Sequence, residues 1–313
     1  MSKQKILIIG AGIAGLRAGQ VLAQDSFAVT IVDKGRGVGG RMATRRFADT
    51  KADHGAQYFS VKSVIFQEFI DDAVQKQVVK SWKVTDRTHP RYVCPDGMNA
   101  LPKFMAQGLE VKLTQKIVRI AQGVAFAESG EQYDFDQLII SAPIPQVLQL
   151  FEESEILLED EEKNILNSIQ YDPCWAVMAK LKYSDSTITG GRILENSPVS
   201  WIVDNAEKGL TEHPTLTIHA SADYSQSHLE ENAEKVASEL IASVSDMVNV
   251  EQIDTYQIHR WRYALASQRA SGAFLQLKNY PIYIGGDAFG IGNVEGAFLS
   301  GITAAESILK KAI

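Results

Sequence analysis

The sequence predicts an α/β fold in which a Rossmann-type parallel-sheet domain, discontinuous along the chain, is joined to an antiparallel-sheet domain. Three observations predict it. An apolar strand near the start runs into a glycine-rich turn and a helix, a second strand–glycine–helix unit stands near the end, and apolar and polar residues alternate through the middle.

The first unit is Ile6 to Ile9, an apolar run of the kind a strand buried on both faces needs. It leads into Gly10-Ala-Gly12-Ile13-Ala14-Gly15, after which Leu16 to Ala23 reads as a helix. Gly10 permits the tight turn, Gly12 lets a pyrophosphate approach the backbone, and Gly15 lets helix and strand pack closely. The start of the helix, with Ile13 and Ala14, offers N–H groups and a partial positive charge to phosphate. The next strand, Val29 to Val32, ends in Asp33, whose carboxylate suits ribose hydroxyls. Its separation from Gly15 is close to the ~20 residues such an acid requires.

At 313 residues the chain suits one large or two joined domains. A net charge of −7 argues against nucleic acid as a partner, since phosphate backbones call for a basic face. The two cysteines, Cys94 and Cys174, form no C-x-x-C pair, so neither a metal site nor a dithiol redox site is expected, and a reducing compartment is. The run at Ile6 is too short for a signal peptide, and no stretch approaches the ~18 apolar residues of a membrane span. A cytoplasmic protein without a membrane partner is the expectation.

After Asp33 comes Lys34-Gly-Arg36-Gly-Val-Gly39-Gly40-Arg41-Met-Ala-Thr44-Arg45. A glycine doublet followed by arginine can bring backbone and guanidinium onto a phosphate or a ring edge. This segment resembles the glycine-doublet motif that follows the ribose acid in flavin amine oxidases and their relatives. The resemblance makes FAD, rather than NAD, the expected cofactor, with Lys34, Arg36, Gly39, Gly40 and Arg41 among its contacts. Asp53-His54-Gly55-Ala56-Gln57-Tyr58-Phe59 follows. In that superfamily this position lies alongside the isoalloxazine ring, so Gly55 and Ala56 would allow close approach and Gln57 could bond to ring or substrate. His54 is open to two readings, a base or covalent flavin anchor, or a local hydrogen-bonding residue of the turn.

Ile65, Phe66, Phe69, Ile70, Ala73 and Val74 give Ser63 to Gln77 helical spacing. Val78 to Val84 and Arg91 to Cys94 read as short strands, with a turn at Asp86 to Pro90 between them. Asn99 reads as the cap of a helix carrying Leu101, Phe104 and Met105. Glu110 to Leu113, Lys116 to Ile120, Val124 to Ala127 and Gln132 to Phe135 suggest a small meander, and Gln137 to Ile140 a return to the parallel sheet. Strand candidates Ala176 to Leu181, Gly191 to Leu194, Ser200 to Val203, Thr215 to His219 and Ile253 to Trp261 alternate, as an antiparallel sheet covered on one face does. A long amphipathic helix from about Leu229 to Val248 would cover it. The expected domains are residues 1–62, 97–145 and 278–313 for cofactor, and 63–96 and 146–277 for substrate.

The last stretch is a strand at Tyr280 to Ile284, then Gly285-Gly286-Asp287, and a C-terminal helix beginning near Val294 and running to Lys310. Gly286 and Asp287 suit the ribityl–pyrophosphate side of FAD. The helix start, with Val294, Glu295 and Ala297, suits the flavin pyrimidine.

These segments, together with His259-Arg-Trp261-Arg262-Tyr263-Ala264, resemble the renalase-like branch of the flavin amine oxidase superfamily. The resemblance implies a p-hydroxybenzoate-hydroxylase-like, amine-oxidase-like fold and non-covalent FAD. No cysteine lies between Gly285 and Gly301 to form a thioether to flavin. It also implies oxidation of the 2- or 6-dihydro isomers of NAD(P)H, with hydride passing to flavin N5 and O2 reoxidation yielding H2O2. A dihydropyridine gains aromaticity as it gives up hydride, so no general base is needed. Trp261 or Trp201 could cover the pyridine face, and Arg262, Arg192 or His259 could meet its carboxamide or phosphate, with Gln57, Tyr58 and Tyr263 nearby in the same motifs. Other readings are an FAD amine oxidase or another small-molecule dehydrogenase, a flavin monooxygenase, and a non-catalytic FAD-bound redox sensor or scaffold. An amine substrate would call for a group to manage its proton, and none stands out.

Overall fold

The computed structural model describes residues 3–25, 27–82, 90–183 and 188–312. The expected turn at Asp86 to Pro90, apart from Pro90 itself, and the end of the expected strand Val78 to Val84 lie outside the described residues. The chain divides into two compact units, Met1–Gly40 with Pro102–Gln170 and Ala266–Ile313, and Arg41–Leu101 with Tyr171–Leu265. Among the described residues no helix is long and apolar enough to cross a membrane.

The first unit is built on a six-stranded sheet. Lys5–Ile9 lies at its centre, parallel to Ala28–Val32 on one side and to Gln137–Ile140 on the other. Glu110–Lys112 extends the sheet beyond Ala28–Val32, and Ile282–Gly285 extends it beyond Gln137–Ile140, both in parallel. The strand Phe274–Gln276 adds an antiparallel edge. Chain order therefore reverses direction at Lys5–Ile9, the switch point at which such sheets bind ligands beyond their carboxyl ends. Ile6, Leu7 and Ile8 are buried, as the apolar run requires. The helix Ile13–Ala23 packs against the C-terminal helix Asn293–Ala312. A side chain on Gly301 would run into the backbone of Ala14, so the two helices touch backbone to backbone there.

The expected meander loses its first member. Glu110–Lys112 pairs with Ala28–Val32, Thr30 opposite Glu110, and only Ile117–Ala121, Val124–Ala127 and Gln132–Asp134 form the small antiparallel sheet. Its short alternating sequence fits an edge strand of either kind. A helix at Ile144–Glu153 begins directly after Pro143 and packs on Ile117–Ala121.

The second unit carries a five-stranded antiparallel sheet in the order Arg192–Ile193, Val199–Asp204, Thr215–Ala220, Gln170–Leu181, Ile253–Gln268. One face, with Trp175, Val177, Ala179, Ile202, Leu216 and Ile218, is covered by the helix Ala233–Ala242. That helix is half the length expected. Asn232 caps it, its Oδ1 accepting from the Glu234 and Lys235 N–H groups at 2.9 and 3.2 Å, and the chain before it forms a separate short helix, Ala222–Ser227. The helix Val64–Gln75 starts at Ser63, as its spacing predicts.

The other face receives the hairpin Thr44–Phe47/Thr50–Asp53, whose Phe47 and Ala52 bury against Met178. Compactness accordingly groups 41–62 and 97–101 with the antiparallel unit, and 146–170 and 266–277 with the parallel one. This differs from the boundaries expected above.

Candidate active site

In the first unit three glycine-bearing turns converge on the carboxyl ends of the central strands. Gly10, at φ +111°, makes the turn after Lys5–Ile9, where an L side chain would be strained and would also strike Ser141. Gly15 packs on the strand: a Cβ there would run into the Gly10 carbonyl oxygen. Gly12 is different, because a Cβ there would meet nothing within 4 Å. It is the N-cap of Ile13–Ala23, and no side chain caps the first N–H groups of that helix. The glycine doublet lies against the same turn, with the Gly39 N–H donating to the Ala11 carbonyl at 2.8 Å and Gly40 beside Gly12.

Asp33 is fixed before any ligand arrives. Its Oδ2 accepts from the Ala11 N–H at 2.7 Å and its Oδ1 from the Gly35 N–H at 2.6 Å. A carboxylate offers about four lone-pair sites, so acceptor capacity remains for a ribose. Gly286, at φ +132°, donates its N–H to Ser300 Oγ at 2.8 Å. Ser141 Oγ donates toward the Gly10 carbonyl at 3.1 Å and joins the turns. Asp287, Val294 and Ala297 are half-buried and Glu295 is buried. Lys34 and Arg36 are exposed, and Lys34 Nζ donates to Gln146 Oε1 at 2.9 Å.

In the second unit the sheet face turned away from the helix carries a cluster of polar and aromatic side chains. Strand alternation puts Thr215, Thr217 and His219 on this face and Leu216, Ile218 and Ala220 on the apolar one. It likewise separates His259 and Trp261 from Arg260 and Arg262. Both arginines bind the exposed Glu230, at 3.0 Å for Arg260 and 2.6 Å for Arg262. Arg262 therefore lies on the face opposite Trp261.

The segment 53–57 lies across this face and is tied at many of its polar atoms, while the buried His54 Nδ1 has no hydrogen-bond partner. Asp53 Oδ1 accepts from Thr44 Oγ1 at 2.6 Å and the Met98 N–H at 2.8 Å, and Oδ2 pairs with Lys208 Nζ at 2.7 Å. Both members of this ion pair are buried. The Asp53 carbonyl accepts from Gln57 Nε2 and Thr217 Oγ1, and its N–H donates to Asn205. Gln57 gives its second N–H to the Gly55 carbonyl at 3.0 Å, so both amide protons are spent inside the turn. Trp261 Nε1 donates to the His54 carbonyl at 2.7 Å, and His219 Nε2 reaches the same oxygen at 3.2 Å. Ala56 donates to the Arg41 carbonyl, which a Cβ on Gly55 would strike, and Arg41 Nη1 reaches the carbonyls of Tyr263 and Ala264.

His54 stacks on Trp261, rings 5.3 Å apart at 24°, and His259 stands edge-on to both. Tyr58 and Trp201 form a second aromatic group, 5.5 Å apart, with the Arg91 guanidinium 4.0 Å above Tyr58. Tyr263 meets Tyr171 edge to face at 5.7 Å. Arg192 is exposed on the short edge strand, one residue before Ile193, the partner of Trp201. The candidate substrate residues thus fall into Gln57–His259–Trp261, joined by the cofactor candidate His54, then Tyr58–Trp201, and the separate Tyr263, Arg192 and Arg262. Asp53, Lys208, His219 and Ser141 are central here yet stood outside the sequence-derived site. Of these, Asp53 opens the motif Asp53–Phe59 but was given no role there, and His219 had a signal in the period-two polar row Thr215, Thr217, His219.

Burial holds the imidazoles neutral. His54 is pushed down to about 3 by burial and then by His259, Arg45 and His219, and His219 to about 4 by burial; His259 is lowered for the same reason. In the unfolded chain these groups take protons near pH 6.5, which the folded state refuses, so stability is full above that pH and is lost as pH falls toward 3–4. Two such histidines cost about 4 kcal/mol at pH 5. Urea unfolding at pH 7.5 and pH 5 is expected to show a loss of this order, with a shallower decline in His219→Asn. Equal stability at the two pH values would refute the neutral assignment. Among the described residues no cluster of three or more His, Cys, Asp or Glu is placed to hold a metal.

The parallel sheet with its uncapped helix, open Gly12 and oriented Asp33 defines a dinucleotide-binding protein of the Rossmann type, and residues 8–73 match the NAD(P)-binding Rossmann-like domain. Residues 73–309 match the flavin containing amine oxidoreductases, and the chain belongs to that family. It is thus an FAD-dependent oxidoreductase. It is 24% identical to mouse (Mus musculus) renalase across 99% of both chains. L-amino-acid oxidase from Crotalus adamanteus is 39% identical over 67 residues, 21% of this chain and 13% of that protein. The fold matches a putative protoporphyrinogen oxidase from Exiguobacterium sp. 255-15 with TM-score 0.79 at 13% identity, over 98% of this chain and 99% of the other. Putrescine oxidase aligns with TM-score 0.76 at 15% identity, over 98% and 99%.

Proposed function

We propose that this enzyme is a renalase-like oxidase of dihydronicotinamide dinucleotides reduced at ring carbon 2 or 6. The full-length similarity to mouse renalase supports the reading, and one observation in the site carries it. Around segment 53–57 the imidazoles of His54, His219 and His259 are held neutral by burial, and its one carboxylate, Asp53, is buried against Lys208. An ammonium substrate finds only weak bases for its proton in that set, whereas a dihydropyridine needs none.

The cofactor residues fit FAD. The free N–H groups after Gly12, backed by the helix dipole, suit a pyrophosphate, and Asp33, already oriented, suits the adenosine ribose. Gly39, Gly40 and Gly286–Asp287 supply the remaining contacts in this reading, and FAD is held non-covalently. Bound FAD supplies a hydride acceptor at N5 and, with O2, a route for the electrons to H2O2. The chain's own part is orientation: Trp261, held by its bond to the His54 carbonyl, offers an indole face to a pyridine ring, and neutral His54 and His259 offer polar edges without charge.

Anaerobic mixing with 6-dihydro-NAD and, separately, ordinary 4-dihydro-NADH tests this. Fast bleaching of the flavin by the 6-isomer alone is expected. Bleaching by ordinary NADH would make the enzyme a reductase or monooxygenase. If neither isomer bleaches it, the dihydronicotinamide reading is lost and amines become the substrates to test.

A further inference from the structure

We propose that the buried Asp53–Lys208 pair is a positioning device that sets the backbone of residues 54–56 for the cofactor ring, an inference resting on the reading that this segment serves the ring. The pair is costly to bury, and two ions removed from water need compensating bonds. Here the bonds converge on one short segment. The Lys208 ammonium reaches Asp53 Oδ2 at 2.7 Å and Gln57 Oε1 at 3.4 Å, so one cation holds both ends of the turn. Gln57 then draws in the Gly55 carbonyl at 3.0 Å, while Asp53 Oδ1 anchors the turn to Thr44 and Met98. The Asp53 carbonyl and N–H are taken by Thr217 and Asn205 of the sheet unit.

The consequence is directional. With Asp53 and Gln57 held from the Lys208 side, the His54 and Gly55 carbonyls are committed to Trp261, His219 and Gln57, and the Ala56 N–H to Arg41. Few polar atoms of the segment are left to rearrange. A flavin ring packed against such a segment meets fixed dipoles, which is how a protein tunes and orients a cofactor without touching it through a charged side chain.

The test compares wild-type holoenzyme with Asp53→Asn/Lys208→Met. The double variant removes both charges, so no lone ion is buried, and the amide oxygen that replaces the carboxylate can still accept from Thr44 and Met98. Hydrogen–deuterium exchange of the peptide spanning 53–58 should rise about tenfold, with the sheet strands Thr215–Ala220 and Gln170–Leu181 unchanged. The visible spectrum of the bound flavin should shift, and the limiting rate of anaerobic reduction by 6-dihydro-NAD should fall about tenfold, with half-saturation within twofold of wild type. Unchanged exchange in 53–58 would overturn the proposal. So would faster exchange with an unaltered flavin spectrum, which would make the pair purely structural. If 6-dihydro-NAD fails to reduce even the wild type, the functional reading fails instead, and exchange and spectrum still decide on the pair.

Discussion

Gly12→Ala is expected to leave folding intact and to strip the protein of FAD, whereas Gly15→Ala, three residues on, is expected to damage the fold itself. The two glycines share a motif but face different things. Space around Gly12 is open to 4 Å and its φ of −79° suits alanine, so a methyl there strains nothing in the protein. It would instead occupy the place where pyrophosphate must approach the helix N–H groups. Charge-assisted bonds there are worth ~1.5–3 kcal/mol each, so losing one or two weakens FAD binding by about a hundredfold. At Gly15 a methyl would run into the Gly10 carbonyl, a backbone atom that cannot rotate away, and helix and strand must part. That overpacking costs about 3 kcal/mol. Thermal unfolding of the apo proteins and fluorescence titration with FAD separate the two effects. A Gly12→Ala protein with native FAD affinity would show that phosphate does not use this turn.

The second large effect is on stability. Lys208→Met alone leaves the Asp53 carboxylate buried without its cation, and removing one partner of a buried pair costs about 3–5 kcal/mol. The neutral double variant is expected to recover most of that loss. Chemical denaturation of wild type, single and double variants measures both steps. A single variant as stable as wild type would mean that water reaches Asp53, contrary to its burial.

The parallel-sheet unit was legible in the sequence because each of its demands falls on a residue type with few substitutes. A tight turn calls for Gly10, a close helix for Gly15, and a ribose for Asp33, all at short spacing. The antiparallel unit was legible as alternation, and the strands from Ala176, Ser200, Thr215 and Ile253 lie where the period places them. Its site was not. Asp53 and Lys208 are 155 residues apart in the chain, and nothing local marks Lys208 as different from any surface lysine. Gln57 was read as able to bond to ring or substrate, and no local pattern announces that its amide protons are used within the turn. Arg262 and Trp261 were named from one motif, and the alternation of a strand puts them on opposite faces. The overlong helix before Val248 shows the limit of periodicity, which carries on past a cap that Asn232 imposes.

The contact of Gly301 with Ala14 has a consequence for the order in which the protein is made. The glycine turn Gly10–Gly15 is synthesised long before the segments that brace it. The helix that backs its own helix, and the strand Ile282–Gly285 that flanks Gln137–Ile140, follow only after the stretch Tyr171–Leu265 of the antiparallel unit. Between the two, a growing chain carries the turn without the helix that braces it.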